Sequence, residues 1–101
     1  MTSQPLLFTL ISPKELKDDI VDELMSMPQI TGFNLQKIKG YSKEHSSFNI
    51  TEQVEGYREL FQFEVLIDST EKEALMLALQ PICQRSQLRY WFITTVENGH
   101  F

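Results

Sequence analysis

The chain alternates strand-like and helix-like hydrophobic patterns, and the order of these patterns constrains its fold more than any other feature. Strand-like segments fall at residues 6–11, 29–41, 57–67 and 88–96. One amphipathic helical pattern lies between the first and second strands, and another lies between the third and fourth. This β-α-β-β-α-β order predicts an α+β domain with the ferredoxin-like split arrangement, in which a four-stranded antiparallel sheet carries two helices on one face.

Each helix is predicted to begin at a capping box, in which two side chains satisfy free backbone N–H groups of the first turn. Ser12 and Glu15 have the required spacing before the first helix. Thr70 and Glu73 have the same spacing before the second helix. Pro81 is expected to kink or end the second helix, because proline has no backbone N–H to continue the hydrogen-bond pattern.

The first and last strands are apolar at both odd and even positions, which is typical of strands covered on both faces. Two helices can cover only one face of the sheet, so the apolar side chains of the other face need a different partner. Tyr90 and Trp91 are neighbours in the last strand and therefore point to opposite faces, one beneath the helices and the other at a subunit contact. We expect another copy of the chain to cover the open face.

Composition and charge limit the classes of function. The chain has 101 residues, enough for a single domain over residues 1–101, and its net charge of −5 argues against a nucleic-acid-binding protein. It has no apolar run near the ~20 residues that a membrane-spanning helix needs. A secretory signal would require basic residues near its start, but none precedes Lys14. The single cysteine, Cys83, suits a reducing compartment. We therefore expect a soluble, cytoplasmic protein without membrane insertion.

Residues 30–41, ITGFNLQKIKGY, resemble the second strand of PII signalling proteins, whose pattern is I-T-G-x-T-V-x-x-V-K-G-[FY]-G. The I-T-G and K-G-Y steps match outright, and Leu35 and Ile38 match in kind. In that family the strand leads into a long flexible T-loop, and residues 42–56 lie at the equivalent position here. The resemblance therefore implies a PII-like domain with a flexible loop at residues 42–56.

PII proteins are homotrimers that bind ATP or ADP in clefts between subunits and use the T-loop to inhibit target enzymes or transporters. By position, the resemblance implies that Asn34, Lys39, Gly40 and Tyr41 border such a ligand-binding cleft. It also implies a homotrimer that contacts a partner protein, a transporter or an enzyme, through residues 42–56. The pathways that the family suggests are nitrogen regulation and a metal response.

Three departures from the family pattern indicate a divergent, shortened member. Ser42 replaces the usual glycine, residues 83–87 lack the glycine-rich phosphate-binding turn, and the basic C-terminal loop is missing. A phosphate needs backbone N–H groups and positive charge. Only Lys37 and Lys39, with Lys43 just beyond, are expected to offer positive charge nearby. We therefore predict that adenine nucleotides bind weakly. The chain is similar to the shortened PII-like proteins associated with heavy-metal transport, and its fold is similar to that of CutA divalent-ion tolerance proteins.

The sequence therefore favours a non-enzymatic sensor that binds a small ligand at subunit clefts and signals through a mobile loop. An enzyme is disfavoured because no nucleophile and base occur at recognisable spacing, and a purely structural role is a third hypothesis. The alternative function is a CutA-like or metal-transport-associated protein that binds a divalent transition metal. Its candidate ligands are His45 and His100, because neutral imidazole binds copper, zinc and nickel, although simple solvent exposure also explains both histidines.

The metal hypothesis makes a specific prediction for thermal unfolding. Copper, zinc or nickel should raise the melting temperature more than magnesium does, because imidazole favours transition metals over hard cations. The rise should fade as the pH falls below about 6, where histidine becomes protonated and no longer coordinates a metal. Replacing His45 and His100 together should abolish it. A double variant that keeps the full metal-induced stabilisation would contradict the assignment.

Overall fold

The computed structural model describes residues 3–42, 56–84 and 86–101. Its strands and α-helices are β1 (Pro5–Pro13), α1 (Lys17–Ser26), β2 (Asn34–Gly40), β3 (Arg58–Asp68), α2 (Lys72–Cys83) and β4 (Tyr90–Thr94). The strands form one antiparallel sheet in the order β2-β3-β1-β4. This is the ferredoxin-like arrangement, and the predicted fold class is confirmed. No helix of the described residues is long and apolar enough to span a membrane.

The hydrophobic core lies between the two helices and one face of the sheet. Residues directly opposite each other in an antiparallel sheet point to the same face. Phe8 of β1 lies opposite Val65 of β3 and Phe92 of β4, and all three point toward the helices. Full burial of each such side chain stabilises the fold by about 1.5–3 kcal/mol. The buried apolar residues are Phe8, Leu10, Ile20, Leu24, Met27, Phe63, Val65, Ile67, Leu75 and Leu79.

The opposite face of the sheet, called the open face below, carries no helix in the described part of the chain. Leu7 of β1 lies opposite Leu66 and Ile93 on this face, and these two side chains are 47% and 50% exposed. Trp91 lies opposite Thr9 on the same face, whereas Tyr90 lies opposite Leu10 on the helix face, as predicted from their positions. The apolar residues of the open face are Leu7, Ile11, Ile38, Leu60, Leu66, Trp91 and Ile93, and the polar residues Thr9, Asn34, Gln36, Gln62 and Glu64 share it.

The predicted capping box at the first helix is wrong because β1 continues through that position. The pairing of β1 with β3 extends to Pro13, which lies opposite Leu60. Ser12 is therefore a buried strand residue, and its hydroxyl donates a hydrogen bond to the Pro13 carbonyl at 2.7 Å. A turn of 3₁₀ helix at Lys14–Leu16 follows, and no side chain caps it. Ladder hydrogen bonds to β3 have displaced the predicted helix start by one turn.

The second capping box is also wrong, because the Thr70 hydroxyl has another partner. The Thr70 hydroxyl donates a hydrogen bond to the Asp68 carboxylate at 2.7 Å rather than capping the helix. A 3₁₀ turn at Ser69–Glu71 precedes α2, and it has no side-chain cap. The helix then continues past Pro81 and ends two residues later at Cys83.

Two strands are shorter than predicted, since β2 begins at Asn34 rather than at residue 29 and β4 covers Tyr90–Thr94. Most of the predicted flexible loop, residues 43–55, lies outside the described residues. The chain leaves the described part after Ser42 and returns at Gly56, whose φ of 81° lies in the left-handed region that glycine adopts without strain. Both points lie at the same end of the β2–β3 pair.

Candidate functional site

A cleft of about 430 Å³ lies at the end of the sheet where β1 ends and β3 begins. The turn that precedes β4 closes its other side. We call this the arginine cleft, because two arginines line it together with the apolar residues Ile11, Pro13, Leu60 and Leu88. Its size is within the range of cavities that hold small molecules in proteins.

The first arginine of the cleft, Arg58, is positioned by strand pairing. It is the first residue of β3 and lies opposite Gly40, at the end of β2. A Cβ atom added to Gly40 would lie 2.5 Å from the Cδ1 atom of Leu60. The backbone of β2 therefore approaches Leu60 more closely than a side chain at position 40 would allow without a shift of Leu60. Glycine at this position brings the end of β2 against the cleft wall.

The second arginine, Arg89, is positioned by the turn between α2 and β4. The Ile11 N–H donates a hydrogen bond to the Arg89 carbonyl at 3.0 Å, which attaches the turn to the end of β1. Within the turn, Gln87 has a φ of 51°, in the left-handed region. The guanidinium carbon of Arg89 lies 5.8 Å from the ring centroid of Trp91. This stacking joins the cleft to the open face of the sheet.

The charges in the arginine cleft favour an anion. Its charged lining residues, among those described, are Arg58, Arg89 and Glu15. A guanidinium group presents N–H donors in a planar fork that fits a carboxylate or a phosphate with two parallel hydrogen bonds. The arrangement can therefore hold a small acidic group beside an apolar wall.

Three of the predicted site residues lie together at the end of β2, where Gly40 pairs with Arg58 of the cleft. The Lys39 ammonium lies 4.9 Å from the ring centroid of Tyr57. The rings of Tyr41 and Tyr57 have centroids 5.8 Å apart, and Tyr41 is 72% exposed. Lys39, Tyr41 and Tyr57 thus form a basic and aromatic surface near Ser42 and Gly56, the two residues that flank residues 43–55. Gly40 faces the arginine cleft from the other side of the same strand.

The structure does not bring Asn34 to the same place. Asn34 begins β2 and lies opposite Glu64, whereas Lys39 lies near the end of the strand. At roughly 3.3 Å per residue, the two positions are about 16 Å apart. A role for Asn34 beside the other three residues stays a prediction, and within one chain the strand geometry does not support it.

The two predicted metal ligands are not joined in one described site. His100 is exposed in the segment that follows β4, and His45 lies outside the described residues. Residues 3–42, 56–84 and 86–101 contain no group of three or more His, Cys, Asp or Glu side chains that could hold a metal ion. The metal assignment therefore stays a prediction that depends on His45 and on its surroundings.

Neither arginine of the cleft was predicted from the sequence. Lys37, Lys39 and Lys43 were the cations expected nearby, but Lys37 forms an ion pair with Glu59. The missed signal was register: a hairpin that pairs the end of β2 with the start of β3 places residue 58 opposite Gly40. The position of Arg89 depends on how the turn packs on β1, which no sequence pattern indicated.

The family of the chain follows from a direct match. The model of the DUF3240 family, described as proteins of unknown function, matches residues 2–101. The chain belongs to the DUF3240 family. A DUF3240 family protein from Shewanella baltica OS155, whose crystal structure is known, is 34% identical to this chain in sequence. The two structures have a TM-score of 0.80, and the match covers 100% of this chain and 99% of that one. No curated protein matches the sequence.

More distant structures connect DUF3240 to the two fold families that the sequence resembled. CPII from Thiomonas intermedia K12, a nitrogen regulatory PII-like protein bound to ADP, AMP and bicarbonate, is 13% identical with a TM-score of 0.69 over 98% of this chain and 100% of CPII. CutA1 from Pyrococcus horikoshii is 10% identical with a TM-score of 0.71 over 93% of this chain and 86% of CutA1. These similarities confirm the predicted PII-like and CutA-like fold.

Proposed function

We propose that this DUF3240 protein is a PII-like regulatory protein that binds a small anion and passes that signal to a partner protein. It assembles as a homotrimer through the open faces of its sheets. The ligand occupies the arginine cleft at the contact between two copies, and residues 42–56 contact the partner, a transporter or an enzyme. In this proposal the protein is a binding protein rather than a catalyst.

The observation that carries the proposal is the continuity between the open face and the arginine cleft. Ile11 belongs to both, and the Arg89 guanidinium lies over the ring of Trp91, which is on the open face. A copy that covered the open face would therefore also border the cleft. Assembly and ligand binding would then use one connected surface.

The apolar character of the open face supports assembly through it. Leu66 and Ile93 are about half exposed, and both lie opposite Leu7 on the open face. Contiguous exposed apolar side chains of this kind mark protein–protein contacts in soluble domains. Each Å² of apolar surface that a second copy covers contributes about 25 cal/mol.

The position of the cleft supports signalling through residues 42–56. Gly40 and Arg58 lie opposite each other at the edge of the cleft. Residue 42 follows one of these strand ends, and Gly56 precedes the other. An anion held by Arg58 and Arg89 would therefore interact with one of the two strands that carry the segment. Ligand binding would change the conformations open to residues 42–56 by favouring those compatible with the bound state.

The ligand that best fits this cleft is smaller and less charged than a nucleoside triphosphate. The Arg89 guanidinium favours a group of low negative charge, and Glu15 would oppose a larger charge. The chain carries a net charge of −5 and no glycine-rich turn before β4. CPII, which shares the fold, was solved with ADP, AMP and bicarbonate bound. These three molecules and inorganic phosphate are the first probes that we would choose.

The proposed assembly predicts the effect of a charge on the open face. Wild-type protein should have the mass of a trimer at micromolar concentration by light scattering. The variants Leu66→Asp and Ile93→Asp should shift the mass toward the monomer, because each would bury an unpaired carboxylate. Met25→Asp is the matched control, since Met25 is 72% exposed on α1 and lies away from the open face. A monomeric wild-type protein, or open-face variants that remain trimeric, would contradict the proposed assembly.

The proposed ligand site predicts a loss of anion binding when Arg89 is neutralised. At least one of bicarbonate, phosphate, AMP and ADP should raise the melting temperature of the wild-type protein. Arg89→Gln should weaken its binding about tenfold or more, because a hydrogen bond to a charged group contributes about 1.5–3 kcal/mol. Lys14→Gln removes one nearby positive charge outside the cleft lining and should keep wild-type affinity in titration calorimetry. Equal affinities for the wild-type and Arg89→Gln proteins would exclude the cleft as the site.

A further inference from the structure

A second and larger cavity lies on the other side of the sheet, between α2 and β4. Its volume is about 520 Å³. We call it the α2 groove. Phe8, Leu10 and Leu79 of the buried core form its floor, and Tyr90 of β4 contributes to its wall. It is separate from the proposed anion site, although Gln87 and Leu88 of the turn before β4 border both cavities.

The groove follows one continuous stripe of the helix. The lining residues of α2 recur at spacings of three and four, which places them on the same side of the helix. The stripe extends from Glu73 to Gln84, or about 16 Å at 1.5 Å per residue. It is formed by Glu73, Met76, Leu77, Gln80, Cys83 and Gln84. This length and the cavity volume suit an elongated small molecule.

The apolar lining of the groove favours a ligand with an apolar body. Phe8 and Tyr90 contribute aromatic rings with centroids 6.2 Å apart, and Met76 and Cys83 contribute polarisable sulfur atoms. Leu77 and Tyr90 are 62% and 50% exposed, respectively. A ligand in the groove would therefore remove apolar surface of both side chains from water.

The charge of the groove favours a ligand with a positively charged head group. Among the described lining residues, Glu73 at one end is the single ionised side chain, and the polar groups at the other end are neutral amides of Gln80, Gln84 and Gln87. A carboxylate next to an apolar channel attracts a cation and repels an anion. This preference is opposite to that of the arginine cleft.

We propose that the α2 groove binds a small apolar amine, with its hydrocarbon body between α2 and Tyr90 and its ammonium group at Glu73. The argument for this site does not depend on the proposed anion site or on the assembly, although Gln87 and Leu88 border both cavities. The two sites accept molecules of opposite charge. They are separated by one turn of the chain, so the same protein would recognise two chemically distinct small molecules.

Three probes with the same hydrocarbon body and different head groups test the proposal: phenylbutylamine, phenylbutanol and phenylbutyrate. Titration calorimetry should rank their affinities in the order amine, alcohol, carboxylate, with the amine about threefold to tenfold tighter than the alcohol. Glu73→Gln should remove the advantage of the amine and leave the affinity for the alcohol unchanged. Glu71→Gln is the matched control, because Glu71 is a neighbouring carboxylate outside the groove lining, and it should keep the wild-type order.

The single cysteine of the chain provides a reporter of position. Cys83 lines the groove, and burial raises the pKa of its thiol, so alkylation by N-ethylmaleimide is slow. The reaction is followed at neutral pH, where the amine probe stays protonated and does not consume the maleimide. Phenylbutylamine should slow the alkylation of Cys83 in proportion to its occupancy. Gln80→Trp should weaken the binding of all three probes, because Gln80 is exposed and an indole at this position would fill the groove without disturbing the core.

Four results would overturn the proposal. The first is that phenylbutyrate binds as tightly as phenylbutylamine, and the second is that the amine does not slow the alkylation of Cys83. The third is that the Gln80→Trp variant binds the probes with unchanged affinity. The fourth is that protection of Cys83 rises with protein concentration in the absence of any probe. The last result would assign the groove to a second copy of the chain. None of them depends on anion binding by Arg89, so the two sites are tested separately.

Discussion

The structure depends on one constraint: a four-stranded sheet has two faces, and residues 3–42, 56–84 and 86–101 provide helices for only one of them. The helix face is filled by side chains such as Phe8, Phe63 and Val65, which are almost completely buried. The open face carries Leu7, Leu66 and Ile93 in register, with no helix over them in the described part of the chain. The hydrophobic effect that folds the domain therefore also favours its association, because a second molecule on this face would remove these side chains from water.

The same constraint explains why the arginine cleft lies where it does. The cleft is formed at the end of the sheet, between the open face and the turn that precedes β4. Arg89 is joined to the sheet through its carbonyl, which accepts the Ile11 N–H, and through its guanidinium, which lies over Trp91. An interface at the open face would reduce water access to these groups and strengthen their interaction with an anion, since charge interactions are stronger at lower dielectric constant.

Strand parity and helical spacing were sufficient to predict the order of the elements and the faces of the strands. The alternation in β3 and the opposite orientations of Tyr90 and Trp91 are direct consequences of the two-residue period of a strand. The helix starts were not predictable in this way. Ser12 has the sequence signature of a cap, but the pairing of Pro13 with Leu60 keeps it in β1, and long-range pairing of that kind is invisible in a local pattern.

The candidate site was only partly predictable from the sequence. Lys39, Gly40 and Tyr41 were identified by a family motif, and they lie at the end of β2, where Gly40 pairs with Arg58 of the cleft. Arg58 and Arg89 belong to no motif, and their proximity depends on the β2–β3 register and on the packing of a turn against β1. The α2 groove was not predictable for a different reason, because no motif marks Met76 or Cys83 and the groove depends on how α2 packs beside β4.

The fluorescence of Trp91 on dilution tests the central claim most directly. Trp91 is the single tryptophan of the chain and lies on the open face, opposite Thr9, so its emission reports on this surface alone. If the open face is the subunit interface, dilution from micromolar to low nanomolar concentration should move the emission to longer wavelength. Quenching by acrylamide should increase over the same range in which the mass falls. An emission that stays constant while the mass falls would place the interface elsewhere and would contradict the account.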